Sequence, residues 1–160
     1  MPFGLIEIAI VLGTTALMEA VAWAVHRFIM HGWGWGWHQS HHSPRHGLFE
    51  RNDLYAVVFG VFTMLLIVAG PWLAWPLYPI GLGMTLYGVL YFILHDGMVH
   101  RRWPLPALHR QGYLDRLVQA HHLHHAVKEK DGAVSFGFLY APPVQRLRQQ
   151  LRQRRKAIRG

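Results

Sequence analysis

Residues Leu54 to Leu94 read LYAVVFGVFTMLLIVAGPWLAWPLYPIGLGMTLYGVLYFIL, forty-one consecutive residues with no Asp, Glu, Lys or Arg. As one continuous helix this stretch would run about 60 Å, twice the hydrocarbon thickness of a bilayer. Its centre holds Pro71, Pro76 and Pro79 with Trp72 and Trp75. Proline removes a helical donor and clashes with the preceding turn, and tryptophan favours the membrane interface. The stretch is therefore expected to be a helical hairpin, with one span over Leu54–Gly70, a turn, and a second span over about Leu77–Leu94. A hairpin buried in a globular core is the competing reading, and the length of the uncharged run weighs against it.

Upstream, Leu5 to Val25 is apolar except for Glu7 and Glu19. Twenty-one residues at 1.5 Å each again reach about 30 Å. This is a first span, continuing as helix through His26 towards His31, where Gly32 and the alternating GWGWGW stop it. The first basic residue, Arg27, follows the apolar run, so no cleavable signal peptide is expected. All sixteen Lys and Arg lie at Arg27, Arg45, Arg51 or beyond His100. The positive-inside rule assigns those regions to the cytoplasm and the N-terminus to the outside. A two-span hairpin between Arg51 and Arg101 returns the chain to the same side, as that assignment requires.

The chain has 160 residues, enough for one domain over 1–160, and 52% of them are hydrophobic, too many for disorder. It contains no cysteine, which excludes disulfides, zinc–thiolate sites, iron–sulfur clusters and thiol nucleophiles. The net charge of +8 flanks apolar segments, so anionic lipid rather than nucleic acid is the expected partner. Tyr113–Lys128 reads as a helix. Ala133–Pro143 is a short apolar, aromatic strip that leaves a fourth membrane segment near Phe136 open. Residues 144–160 form a basic amphipathic tail expected to lie on an anionic surface. The fold expected is an all-α integral membrane protein of three transmembrane helices with a cytoplasmic, histidine-rich helical cap.

Ten of the thirteen histidines fall into four boxes of two alternating spacings. His26 and His31 make H-x4-H; His38, His41 and His42 make H-x2-H-H; His95 and His100 repeat the first; His121, His124 and His125 repeat the second. In H-x2-H-H the residues at i, i+3 and i+4 share a helical face and read as a metal half-site. In H-x4-H the two residues lie about 140° apart on an α-helix. They reach one ion only if the helix ends between them; otherwise they reach different ions. Fraying helix ends are the expected solution, with the triplets closing the site from the cytoplasmic side. Ten histidines suit two metals of four or five nitrogens each. Tetrahedral zinc needs only four, and neither H-E-x-x-H nor the E-x-x-H pattern of carboxylate-bridged bundles occurs. The surplus of imidazoles favours iron.

HRFIMHGWGWGWHQSHH, HDGMVHRRWP, QAHHLHHAV and VSFGFLYAPP resemble the bacterial β-carotene 3-hydroxylase family, within the fatty-acid hydroxylase/desaturase superfamily of histidine-rich, non-haem di-iron membrane enzymes. The resemblance runs over nearly the whole chain. It implies a bacterial inner-membrane enzyme that hydroxylates β-ionone rings at C3, taking β-carotene to β-cryptoxanthin and zeaxanthin. Related enzymes accept ketolated rings, from canthaxanthin towards astaxanthin. It implies two iron ions held by the ten box histidines, O2 as co-substrate, and no catalytic residue beyond the ligands. Where the family often carries Arg this chain has His122, which is therefore placed beside the ligands rather than among them. No dinucleotide fingerprint occurs, so electrons must come from an external ferredoxin or NAD(P)H-fed chain. An acidic ferredoxin suits the basic face. The carotenoid would enter from the bilayer. A homo-oligomer and association with other carotenoid enzymes both stay open.

Outside the boxes, Glu19 lies two turns before His26 and either supports a ligand or pairs with another helix. Asp96 and Asp115 either orient imidazoles through the second ring nitrogen or cap helices. His46 and His109 are surface or supporting residues. Trp33, Trp35 and Trp37 form an interfacial belt or line a ring pocket. Gly81, Gly83 and Gly88 are expected at close helix contacts. Rival readings are a carotenoid ketolase, a sterol or fatty-acid hydroxylase, a metal- or haem-binding membrane protein without activity, and a di-zinc structural protein.

Overall fold

In the computed structural model of the chain, residues 4–44, 47–103 and 111–159 are described. His46 and His109 lie outside them.

Three helical stretches are long and apolar enough to cross a membrane: Leu5–Trp33, Asp53–Leu73 and Leu77–Val99. The first is α1 (Leu5–Ala24), which runs on as a π-wound segment over Val25–Trp33 until Gly32 leaves helical backbone geometry. A four-residue helix, α2 (Trp35–His38), and one 3-10 turn over Gln39–His42 fold back across its end. The hairpin follows as α3 (Asp53–Leu73) and α4 (Leu77–Tyr91), the latter extended by a second π-wound segment, Phe92–Val99. The helix α3 does not stop at Gly70 as expected. Pro71 sits inside its last turn, and the Ala74 N–H closes that turn on the Gly70 carbonyl at 2.9 Å, so the break falls after Leu73. Pro71 costs this turn one donor and crowds the carbonyl four residues back, and the helix ends at Leu73.

α4 packs between α1 and α3. Two glycines permit this. A Cβ on Gly83 would sit 2.6 Å from the Val11 carbonyl of α1, and one on Gly81 would sit 2.8 Å from Ile67 of α3. The third, Gly88, meets nothing within 4 Å and makes no such contact. The Thr15 hydroxyl donates to the Gly83 carbonyl at 3.0 Å and pins the same crossing. The outer face of α3 presents Val57, Val61, Phe62, Leu65 and Val68, each more than half exposed. Apolar surface of this extent on backbone-satisfied helices suits lipid, not water.

The cap consists of α5 (Gly112–His125) and α6 (Val144–Arg159), joined by an irregular segment. Among the described residues no strand is present. Ala133, Val134, Phe136 and Ala141 of that segment are buried with Leu117 and Ala120 of α5 and Leu147 and Leu151 of α6. One reading left open is answered here and one expectation changes. The strip at 133–143 is not a membrane helix. It is irregular chain threaded between the cap helices and the histidines. The apolar stripe of α6 faces α5, not lipid, since Leu147 is 1% exposed. Its basic face alone points outward.

Candidate metal centre

His26 and His31 sit in the first π-wound segment; His95 sits in the second and His100 caps its C-terminal end. A π-helix closes its hydrogen bonds from i to i+5, and the His100 N–H duly donates to the His95 carbonyl at 3.0 Å. Winding of this kind brings residues five apart onto one face. Fraying is therefore not the explanation for the spacing: the helices stay wound, with a wider turn. His26 and His31 reach one cluster together, and His95 and His100 reach the other.

The ten box histidines form two groups of five. The first gathers His26, His31, His38 and His124, with His42 joined through Nε2 to His38 at 3.2 Å and to His124 at 3.1 Å. The second gathers His41, His100, His121 and His125, with His95 joined to His41 through Nε2 at 3.2 Å. Each H-x2-H-H triplet is thus split. His38 and His42, one α-turn apart, serve the first cluster while His41 serves the second. His121 and His125 serve the second while His124 serves the first. A triplet does not stay on one cluster; it straddles both. The clusters meet where the His42 and His125 rings stack at 4.6 Å.

Hydrogen bonds to Nδ1 fix what the inner nitrogens can be. In the first cluster every Nδ1 faces an acceptor: the Phe136 carbonyl for His26 (2.9 Å), Lys130 for His31 (2.7 Å), Val127 for His42 (2.7 Å), Val134 for His124 (3.0 Å), and the Asn52 Oδ1 for His38 (2.7 Å). Carbonyl oxygens only accept, so each of these Nδ1 atoms carries the proton. Each neutral ring then turns a bare Nε2 lone pair inward, and those Nε2 atoms lie 3.1–3.2 Å apart. Lone pairs facing lone pairs in a buried site repel, and a cation between them removes the conflict. In the second cluster His41 donates to Glu50 (3.0 Å) and His95 to Asp96 (2.7 Å). Burial foremost, then crowding by neighbouring imidazoles, keeps the cap histidines neutral: His38 is lowered to about 3 and His42 to about 4, with His41, His121, His124 and His125 also lowered. Neutral imidazole is the ligating form. The donor set fits two metal ions, and five nitrogens per cluster exceed what a tetrahedral ion uses.

The remaining candidates are placed differently. Asp96 orients His95 and is itself held by Arg102 at 3.3 Å. Among the described residues Glu19 has no histidine partner. Its carboxylate accepts the backbone N–H of Phe138 (2.9 Å), Leu139 (3.0 Å) and Tyr140 (2.9 Å) and the Tyr87 hydroxyl (2.9 Å). It clamps the irregular segment whose Phe136 carbonyl receives His26. A Cβ on Gly137 would lie 2.5 Å from Glu19 Oε1, so the clamp needs glycine there. Asp115, in the first turn of α5, accepts from Gln119 and has no histidine partner among the described residues. His122 is exposed on α5, facing away from both clusters. Trp35 packs on His31 and His42 at 5.1 and 5.3 Å, whereas Trp33 is exposed.

Sequence reasoning missed Glu50, Asn52 and Arg102. Arg102 grips both oxygens of Asp53 at 2.8 Å while it holds Asp96. These polar residues follow boxes in irregular chain, where no periodicity marks them. The four carbonyl acceptors carry no sequence signal at all.

An apolar cavity of about 540 Å3 opens between α1, α3 and α4. Met18, Phe59, Met64 and Met84 line its membrane part, and Asn52, Asp96, Tyr91 and Phe138 line its inner end. Phe138 stacks on His26 at 5.2 Å and meets His95 edge-on at 5.2 Å. A long apolar molecule in this cavity would end against Phe138, Tyr91 and Asp96, one side chain away from a histidine of each cluster.

A family model described as Fatty acid hydroxylase matches residues 11–143. The chain is 58% identical over 151 residues to a beta-carotene hydroxylase of Pantoea ananas, covering 94% of this chain and 86% of that protein. It is 54% identical over 149 residues to a beta-carotene hydroxylase of Paracoccus sp. (strain PC1), covering 92% and 91%. It is 42% identical over 139 residues to a chloroplastic beta-carotene 3-hydroxylase of Haematococcus lacustris, covering 83% of this chain and 42% of that protein. No solved structure matches. The resemblance read from the histidine boxes and their connectors is borne out.

Proposed function

The chain belongs to the fatty acid hydroxylase family, and from that premise we propose that it hydroxylates β-ionone rings of carotenoids at C3. β-Carotene becomes β-cryptoxanthin and then zeaxanthin, and a ketolated substrate such as canthaxanthin is turned towards astaxanthin. The observation that carries this reading is the apolar cavity between membrane helices whose inner end is formed by Asn52, Asp96 and Phe138, the residues that hold or stack on His38, His95 and His26 of the two clusters. The bacterial relatives' names agree with it. Each turnover inserts one oxygen atom of O2 into a C–H bond and reduces the other to water with two electrons and two protons.

The first cluster would hold one iron through His26, His31, His38, His42 and His124, the second another through His41, His95, His100, His121 and His125. When bound, the iron pair supplies O2 activation, which side chains lack. The protein's own part is positional. Carbonyls and carboxylates on Nδ1 fix each imidazole's tautomer and direction, a second layer that raises ligand basicity. The cavity strips the polyene of lipid disorder and presents one ring, with Phe138 and Tyr91 as the wall beside His95. The buried clusters exclude bulk water from the reacting carbon.

The enzyme sits in the bacterial inner membrane with its N-terminus outside and its histidines and C-terminus in the cytoplasm. The charge distribution supports this reading. Electrons come from a reduced acidic ferredoxin or an NAD(P)H-fed chain that docks on the basic cap, and anionic lipid contacts the exposed arginines of α6. A sterol or fatty-acid hydroxylase would share the clusters but not the relatives' named substrate, and a carotenoid ketolase would share the substrate but not the relatives' named hydroxylation. Expression in a β-carotene-producing host tests the assignment. Zeaxanthin should accumulate, and His41→Ala should abolish it while the protein still inserts in the membrane. If β-carotene persists under reduced, iron-replete conditions while another lipid gains a hydroxyl, the substrate assignment is wrong.

A further inference from the structure

A second cavity, about 250 Å3, shares no lining residue with the substrate cavity. Trp23, Arg27, Ser135, Tyr140, Gln150 and Arg154 supply its polar and aromatic lining, and no carboxylate lines it. Arg27 lies over the Phe136 ring at 5.0 Å from its centroid, and Arg154 donates to the Ala133 carbonyl. Both guanidiniums are held by neutral partners, a ring and a carbonyl, so neither contact cancels a charge. Burial and the charge of Arg27 disfavour protonated Arg154, as expected for two like charges brought to one pocket.

The position narrows the ligand. Arg27 is the first basic residue after the apolar run of the first span, one turn beyond Trp23. Trp23 and Tyr140 are both exposed at this cavity. Aromatic side chains with a polar edge sit at the headgroup level of a bilayer. Arg154 reaches the same pocket from α6, whose apolar face is spent on α5. We propose that this pocket binds the phosphate of one anionic phospholipid headgroup, with Arg27 and Arg154 on the phosphate oxygens and Trp23 and Tyr140 beside the glycerol and acyl ends. Planar guanidinium forks match phosphate geometry. A cavity of this size admits a headgroup and not the surface of an acidic protein. The site does not depend on which lipid is hydroxylated. Its occupant would tie α6 to α1 and the irregular segment between them, which carries the acceptors for His26 and His124.

The test uses the full-length, metal-loaded protein in neutral detergent, titrated with phosphatidylglycerol, phosphatidylcholine or inorganic phosphate and read by native mass spectrometry. One phosphatidylglycerol per chain should bind saturably, and more tightly than phosphatidylcholine. Arg154→Gln should weaken it about tenfold, the loss of one charge-assisted contact. The same charge removed at Arg152, exposed on the same helix, should change it less than about twofold. Arg154→Lys keeps the charge without the fork and should bind more weakly than the parent but more tightly than Arg154→Gln, which separates a lost site from a misfolded cap. Equal weakening by Arg152→Gln and Arg154→Gln would mean diffuse attraction and overturn the site. Equal binding of both lipids would do the same. Phosphate binding as tightly as phosphatidylglycerol, with the same loss in Arg154→Gln, would replace the lipid by a free anion.

Discussion

Replacing Glu19 by Gln keeps the shape of a side chain that holds four donors. Oε1 accepts from Phe138 and Tyr140, while Oε2 accepts from Leu139 and the Tyr87 hydroxyl. A glutamine oxygen can replace Oε1. Its NH2 group then faces the other two donors. The Tyr87 hydroxyl can rotate and accept, but the Leu139 amide cannot. One amide loses its acceptor, at about 1–3 kcal/mol. If the loss falls on the clamped segment, local opening there becomes about 5- to 150-fold more frequent. Hydrogen exchange of peptides covering 136–141 should quicken by that factor, with exchange in α3 unchanged. The Phe136 carbonyl that receives His26 belongs to the same segment, so metal retained by the first cluster should fall with it. Gly137→Ala attacks the clamp from the other side, and the double variant should be no worse than the more damaging single one. Unchanged exchange at 136–141 in Glu19→Gln would refute the clamp. Full additivity of the two substitutions would show that they act separately.

The division of the boxes predicts that two adjacent residues fail differently: His42→Ala should deplete the first cluster and His41→Ala the second, each removing about half of the bound metal by elemental analysis. Asp96→Asn weakens the acceptor for His95 Nδ1, and metal affinity of the second cluster should drop about 10- to 100-fold in chelator competition. The folded-state lowering of His42 to about 4 and His38 to about 3 means the unfolded chain binds more protons below the ordinary histidine value. Stability of the metal-free protein should therefore be full above about pH 6.5 and fall as the pH drops towards 4. Between pH 7.5 and 5 each of the two contributes a loss of about 2 kcal/mol. Denaturant titrations at the two pH values measure this, and a flat profile would mean that these rings are not held neutral by burial.

Much of the architecture was legible along the chain. An uncharged run of forty-one residues has no stable home but a membrane or a large core, and three helices able to span a bilayer are what the structure holds. Box composition and absent cysteine narrowed the chemistry to imidazole-held metal, because ligand type is a property of residues. The allocation of ligands to clusters was not legible. Whether His41 joins His42 or leaves it depends on which way a 3-10 turn faces His95 from another helix. The H-x4-H spacing was misread because an α-helix of 3.6 residues per turn was assumed, and only the backbone bonds reveal the wider winding. Glu19 was visible as an oddity, yet its partners are amides more than a hundred residues away, which carry no identity a sequence could display. Hydrophobic length and ligand chemistry are local and survive in one dimension. Convergence of ten Nε2 atoms into two sites, and the acceptors behind them, exist only once the chain has closed on itself.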